Sequence, residues 1–398
     1  MFSVAFWLVP ACMLAQVAAV GFQFLRISPS AVANGMGETY GLAMFRSPVA
    51  GIFQPAAPAL KADRSFAAFA GLFPTVKWVK VLSYSASGLE MGTSLKPWIG
   101  MPFSLGVGIY EVRMDYGKTV FRDDYGNPIG SVHPVDRSRA VSLSVALRKP
   151  VLLAFGYTWK QVRVEDPFFT RSQEGAARSA SVSDFGGVIW FPVSDWLSGS
   201  ERDPDVFYPE GDFGLYFGKL HVEKQPFYSP AGQRFLFPRT FYTGFGIRFR
   251  IRKGEHSRYN PVFSLALSRE IAWLLIQGDK YTSIFSGSGY WGAFMGFQQS
   301  YTLTVKRGGE IGLGNLFFVR WGKYDDRGSD LFYKTVGFGL DVGKAALLLT
   351  ERMGKAVPLL DGLDRHFFLK VNFASFSADK WSPLDGTDFW AWTAGCRW

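Results

Sequence analysis

The sequence predicts an all-β chain closed into an antiparallel barrel that spans an outer membrane. Three observations carry that expectation: period-2 strands with one apolar face, a last strand that finishes on Trp398, and an apolar leader with no later stretch suited to a membrane helix. Of the 398 residues, 48% are hydrophobic and 17% aromatic, while 19% are charged. That balance excludes a disordered or fibrous chain and is apolar for a soluble enzyme. Mean hydropathy is nevertheless only +0.06, and beyond Arg26 there is no uncharged apolar run of about 18 residues. A barrel reconciles the two, because each strand needs only about 9 to 11 residues and only alternate ones must face lipid.

Residues 1–20 read as a signal peptide. Arg26 is the first charge, and cleavage after Ala19 places Val17 and Ala19 at the small-residue positions. An uncleaved anchor helix, or lipoprotein-type processing at Cys12, are the alternatives. Cleavage after Ala19 leaves Cys396 without a cysteine partner, so the fold must be held by its strands.

Residues 140–164 give the clearest strand signal. Val141, Leu143, Val145 and Leu147 alternate with Ser142, Ser144, Ala146 and Arg148; after Arg148-Lys149-Pro150, the residues Leu153, Phe155, Tyr157 and Trp159 alternate with Ala154, Gly156, Thr158 and Lys160. This is a hairpin whose second face carries small residues where a soluble sandwich would carry charges. The same pattern returns at Phe245–Ile251, Phe263–Leu267, Val336–Val342, Phe367–Phe373 and Trp390–Trp398. An alternating last strand with an aromatic end is the feature that barrel assembly machinery reads. The polar segments 115–137, 165–182, 197–212 and 322–332 are expected as loops, the longer ones mostly outside and the short turns periplasmic.

Motifs for chemistry are poor. His133, His221, His256 and His366 are scattered, with no metal spacing. Gly287–Gly292 fits GxGxxG without a βαβ context, and Asp184-Phe185-Gly186 lacks every other kinase element. No enzyme, cofactor or metal is expected. The net charge of +10 is spread singly over strands and loops, which argues against nucleic acid and fits lipid phosphates better. Arg248 and Arg250 lie opposite Phe245, Ile247 and Phe249, so in a barrel they point inward, as do Arg148, Lys160, Lys370 and Arg397 on their strands. Such cations attract an anion such as a fatty-acid carboxylate, or else anchor lipid headgroups at the rim.

Residues 24–57, FLRISPSAVANGMGETYGLAMFRSPVAGIFQPAA, resemble the opening of the PorV/PorQ family of FadL-like outer-membrane barrels. Phe24, Leu25, Ile27, Pro29, Gly35, Met36 and Gly37 fit its first phrase, and Gln54-Pro55-Ala56 stands where Asn-Pro-Ala is usual. Val32 replaces an arginine, and Gln54 puts in doubt the hydrogen bond of the family's asparagine. The likeness continues through residues 123–147, Leu236-Phe237-Pro238, Gly309-Glu310, Val319–Gly322 and Thr335–Gly339. It implies about 14 strands over residues 63–398 and an N-terminal hatch over residues 21–62, with Arg26, Pro29, Gly35, Met36, Gly37, Gln54 and Pro55 as hatch positions. The hatch stretch is rich in Gly, Ala, Ser and Pro and lacks strand alternation; otherwise it would be a linker.

Two functions follow from the resemblance. The first is a channel for hydrophobic or amphipathic small molecules, with Arg248, Arg250 and Lys160 taking a charged end, Phe368 and Phe376 lining an apolar path, and Gly35 and Gly37 letting the hatch hinge. The second is a component of type IX secretion that binds cargo protein on loops 115–137 and 165–182. A general porin is a weaker third.

Overall fold

The computed structural model describes residues 22–62, 66–78, 82–164, 178–194, 206–222, 227–228, 234–253, 261–277, 280–281, 303–353, 366–378 and 384–397. The expected signal peptide, Gly287–Gly292, His256 and Trp398 lie outside them.

Fourteen strands form the wall. They are β1 (Phe66–Trp78), β2 (Leu82–Ser94), β3 (Phe103–Asp115), β4 (Val135–Leu147), β5 (Leu152–Val164), β6 (Arg178–Phe191), β7 (Phe207–Leu220), β8 (Thr240–Lys253), β9 (Phe263–Leu274), β10 (Leu303–Leu313), β11 (Phe317–Asp326), β12 (Leu331–Asp341), β13 (Phe367–Ala378) and β14 (Asp388–Arg397). Each pairs antiparallel with the next, and β14 returns to β1 from Ala67↔Arg397 to Leu72↔Trp392 to close the barrel. Closure leaves no sheet edge in the hydrocarbon, as a membrane demands. No helix among the described residues is long and apolar enough to cross one.

Side-chain alternation sorts the two faces as the sequence anticipates. Val141, Leu143 and Val145 point out and stay exposed, whereas Ser142, Ser144 and Ala146 are buried; Phe155, Tyr157 and Trp159 are out, and Ala154, Thr158 and Lys160 are in. Val336, Phe338, Leu340, Trp390 and Trp392 continue the apolar outer belt, which is the lipid-facing band of a membrane barrel.

Three loop expectations need correction. Residues 322–332 are a tight hairpin: β11 runs to Asp326 and β12 starts at Leu331. Their charge misleads because inward positions such as Asp326 are polar and buried here. Strands likewise take residues 178–182 and 207–212 from the other two segments, while 115–137 contains a small ribbon, Thr119–Arg122 with Pro128–Val132. The alternation expected through Val342 stops at Asp341, where the helix Val342–Arg352 begins. The start of β1, the end of β14, the 148–151 turn and this helix share one end; the end of β3 and start of β4, the end of β5 and start of β6, and the end of β7 and start of β8 share the other, called the far end below.

Residues 22–62 sit inside the wall. They form 3-10 turns at Gln23–Arg26 and Ala50–Ile52 and short helices α1 (Ala31–Gly35), α2 (Ala43–Arg46) and α3 (Ala57–Leu60). Ser30 caps α1 by accepting from Ala33 N at 3.2 Å. Helices this short have little stability alone. They are held because residues 28–44 and 47–62 are all buried. A hatch is expected over these residues, and they are called the hatch below.

Candidate functional site

The site is the junction between hatch and wall. Small inward residues let the hatch backbone touch the sheet: Met36 and Gly37 lie on Gly308 of β10 and Gly322 of β11, and Pro55 lies on Gly156 of β5 and Gly186 of β6. Gly37 has φ +64°, and a Cβ there would stand 2.6 Å from Arg307 O and 2.7 Å from Lys323 N. Thr335 of β12 accepts from Gly37 N at 2.9 Å and donates to Gly35 O at 3.0 Å.

Charges tie the remaining corners. Lys61 donates to Met44 O and Ser47 O at 2.7 and 2.8 Å and lies 3.5 Å from Glu90. Glu90 Oε1 accepts from Gly51 N and Tyr110 OH, each at 2.9 Å. Glu310 is held between Arg46 at 2.7 Å and Arg320 at 2.8 Å. Buried ions persist only when so paired.

On the side of β7–β11, toward the far end, hatch and wall part to leave a cavity. It opens partly to solvent and has about 40 Å³ of room inside for water-sized molecules. Leu25, Arg26, Glu38, Tyr40 and Phe53 line it from the hatch, and His221, Tyr242, Glu270, Lys306 and Tyr324 from the wall. Tyr40 stacks on Phe53 with centroids 5.0 Å apart, and Lys306 Nζ lies 5.2 Å from the Tyr40 ring. Glu270 Oε2 accepts from Tyr40 N at 3.0 Å and Tyr216 OH at 3.2 Å, while Oε1 faces Lys306 Nζ at 3.1 Å out of line for a hydrogen bond. The Tyr242 hydroxyl donates to Phe53 O.

His221, just beyond β7, backs this cavity. Its N–H donates to Asp184 Oδ1 at 2.7 Å, and Lys160 Nζ is 2.5 Å from Asp184 Oδ2. Nδ1 lies 3.1 Å from Pro238 O. A carbonyl only accepts, so Nδ1 carries the proton. Burial, with Lys160 adding to it, holds the imidazole at about 4, so the ring is neutral at ordinary pH.

The sequence-predicted residues fall at separate places. Arg248 and Arg250 point inward but meet carboxylates, Asp212 at 2.7 and 2.8 Å and Glu210 at 2.9 Å from Arg250. Arg248 also lies over Phe45 and Trp190. Lys160 belongs to the His221 network rather than to that cluster. Phe368 packs on Phe69, and Phe376 between Tyr333 and Phe389; eight residues along β13 separate them by about 26 Å. Arg148 and Lys370 face hatch carbonyls and Asp341 respectively.

Of the hatch positions, Arg26 reaches Asp326 at 3.7 Å, and Pro29 is buried near Gly71 and Thr393. Gln54 Nε2 donates to Gly187 O and Phe217 O at 3.4 and 3.3 Å, so the glutamine does bond to the wall. Tyr40, His221, Tyr242, Glu270 and Lys306 were not anticipated. One signal was available: Glu270 and Lys306 are opposite-charge inward residues that become direct cross-strand partners. Among the described residues no cluster could hold a metal ion.

No protein family and no curated protein matches this sequence. Among solved structures, the Ralstonia pickettii toluene transporter TbuX aligns over 93% of this chain and 97% of its own at 13% identity and TM-score 0.45. A Pseudomonas aeruginosa FadL homologue aligns over 92% and 96% at 10% identity and TM-score 0.37. The transport unit of the Escherichia coli autotransporter AIDA-I does so over 92% and 99% at 10% identity and TM-score 0.36.

Proposed function

We propose that the chain is an outer-membrane channel of the FadL-like kind, passing hydrophobic or amphipathic small molecules when its hatch shifts. The observation that carries this reading is a lumen filled by the chain's own residues 22–62, leaving beside them an aromatic cavity at the far end. An open pore for general diffusion is at odds with that filling, and no catalytic role is proposed. The apolar outer belt supports a place among outer-membrane lipids, and the alternating β14 suits recognition by the assembly machinery.

A lock on the hatch tests the channel. Thr39 Oγ1 and Ser268 Oγ are 2.6 Å apart across the junction, which suits a disulfide between Thr39→Cys and Ser268→Cys in a Cys396→Ser background. Flux of a labelled amphiphile into liposomes should stop on oxidation and return on reduction. Flux indifferent to the bridge would reject a hatch-gated path.

The second reading is a PorV/PorQ-type role in type IX secretion through the loops. One observation favours it: Val120, Phe121, Tyr125 and Ile129 are exposed on the ribbon between β3 and β4, with Tyr125 91% exposed. Cargo export lost on ribbon deletion yet unaffected by the bridge would select this role.

A further inference from the structure

The outer face of the wall carries charges that the channel does not use. Arg269 of β9, Arg307 of β10, Lys323 of β11 and Lys334 of β12 are direct partners from strand to strand: Arg269↔Arg307, Arg307↔Lys323 and Lys323↔Lys334. All four point outward, because their chain neighbours Glu270, Lys306, Tyr324 and Thr335 are the buried, inward residues. Arg307, Lys323 and Lys334 are exposed, and Arg269 is half-buried. The row spans three strand spacings, about 14 Å, and stops at Phe245 on β8 and Ser377 on β13.

Like charges set directly opposite one another repel, and a cation on the lipid face is tolerated only toward the membrane's edge. Lys323 has Asp325 at 3.6 Å, but among the described residues no carboxylate pairs with Arg307 or Lys334. Two residues along each strand away from the far end, about 7 Å off, the outward row is Leu267, Gly309, Trp321 and Val336. Leu267, Trp321 and Val336 are exposed, and the Trp321 ring covers Gly309 so closely that an added Cβ would collide with it. These residues make one apolar ledge beneath the cations. On the far-end side the row is Ile271, Val305, Asp325 and Phe332, in which Ile271 and Val305 are buried and Asp325 is the one carboxylate.

A second basic row, Arg113, Arg137 and Arg163 across β3, β4 and β5, has different surroundings. Asp115 lies 3.1 Å from Arg113, and the row beneath holds Gln161 with Glu111 and Arg139, themselves 3.6 Å apart. That row adjoins polar residues, whereas the first drops straight from cations to an apolar ledge. Such a step matches a lipid, charged at its head and apolar below. The first row lies in the far-end half of each strand. The long 115–137 segment joins β3 to β4 at that end, and barrels set their longer connections outside.

We infer that this row is a binding site for a multiply phosphorylated lipid of the outer leaflet. Its phosphates lie along Arg269, Arg307, Lys323 and Lys334, and its acyl chains run down over Leu267, Trp321 and Val336. Arginine and lysine at a membrane surface attract anionic headgroups, and Trp321 is the residue type that barrels place at the interface. Four cations in line exceed the charge of a single phosphodiester, which selects a lipid with more than one phosphate. The inference rests on the barrel's place in an outer membrane and not on the channel reading.

The test is binding to the full-length mature protein in non-ionic detergent micelles. The probes are diphosphoryl lipid A, monophosphoryl lipid A, phosphatidylglycerol and, as phosphate without chains, inorganic pyrophosphate. Affinity should fall in that order, with pyrophosphate unbound over the same range. Arg307→Gln with Lys334→Gln should weaken diphosphoryl lipid A about fivefold per cation, about twenty-five-fold for both. Arg137→Gln with Arg163→Gln removes the same charge from the other row and should leave that affinity unchanged. Melting followed by heat-modifiable gel mobility reads the repulsion: without anionic lipid the Arg307 and Lys334 double variant should be at least as stable as the native protein, and with it less stable. If the double variant does not fold, each single substitution serves, with about a fivefold loss.

Phosphatidylglycerol or pyrophosphate binding as tightly as diphosphoryl lipid A, no binding of any lipid, affinity that survives loss of Arg307 and Lys334, or equal weakening by the Arg137 and Arg163 substitutions overturns the site. Bridge-sensitive flux reports on the channel separately, so either reading can fail alone.

Discussion

Thr335 of the wall holds the hatch turn at Gly37, taking one hydrogen bond from Gly37 N and giving another to Gly35 O. The hydroxyl does both jobs at once, so no apolar residue of the same shape can replace it. Thr335→Val should cost about 2 kcal/mol, two neutral hydrogen bonds, and raise the unstimulated conductance of the barrel in a planar bilayer. Unchanged stability and silence would mean that glycine packing alone fixes this corner.

Lys61 and Glu90 form a second tie, with both side chains fully buried. Removing one partner strands the other charge. Lys61→Met should destabilise the protein by about 3 kcal/mol, and Lys61→Met with Glu90→Gln should recover most of that. A double variant as unstable as the single one would show that the carbonyl bonds to Met44 and Ser47, not the ion pair, hold this corner.

His221 makes stability depend on pH. Its ordinary value of 6.5 falls to about 4 in the folded chain, so the unfolded chain takes up a proton first as pH drops. Stability is complete above about 6.5 and is lost progressively toward pH 4, by about 3 kcal/mol. Melting followed by gel mobility at pH 7 and pH 4.5 should show a larger drop for the native protein than for His221→Leu. Parallel curves would mean that the imidazole is not buried in this way.

Much of the wall was legible because its two faces meet different media. Leu143, Phe155 and Trp159 meet lipid, while Ser142, Ala154 and Gly156 meet the hatch, and that contrast survives in the linear sequence as alternation. The 322–332 hairpin was not legible, since Tyr324 and Asp326 face a charged interior and read as loop composition. Nor was the cavity: Tyr40, His221, Tyr242, Glu270 and Lys306 come from separate parts of the chain, and only the register of β9 on β10 joins two of them. The fatty-acid expectation drew on inward cations without their partners, Asp212, Glu210 and Asp184, which face them across neighbouring strands.

The small residues on the inner face carry a further consequence for how the molecule is made. Residues 22–62 precede β1, touch strands from β2 to β14, and are surrounded once β14 meets β1. A sheet cannot be tightened first and filled afterwards when its inner surface is moulded to Pro55, Met36 and Gly37. The segment serves as a mandrel, and the wall is wound on it.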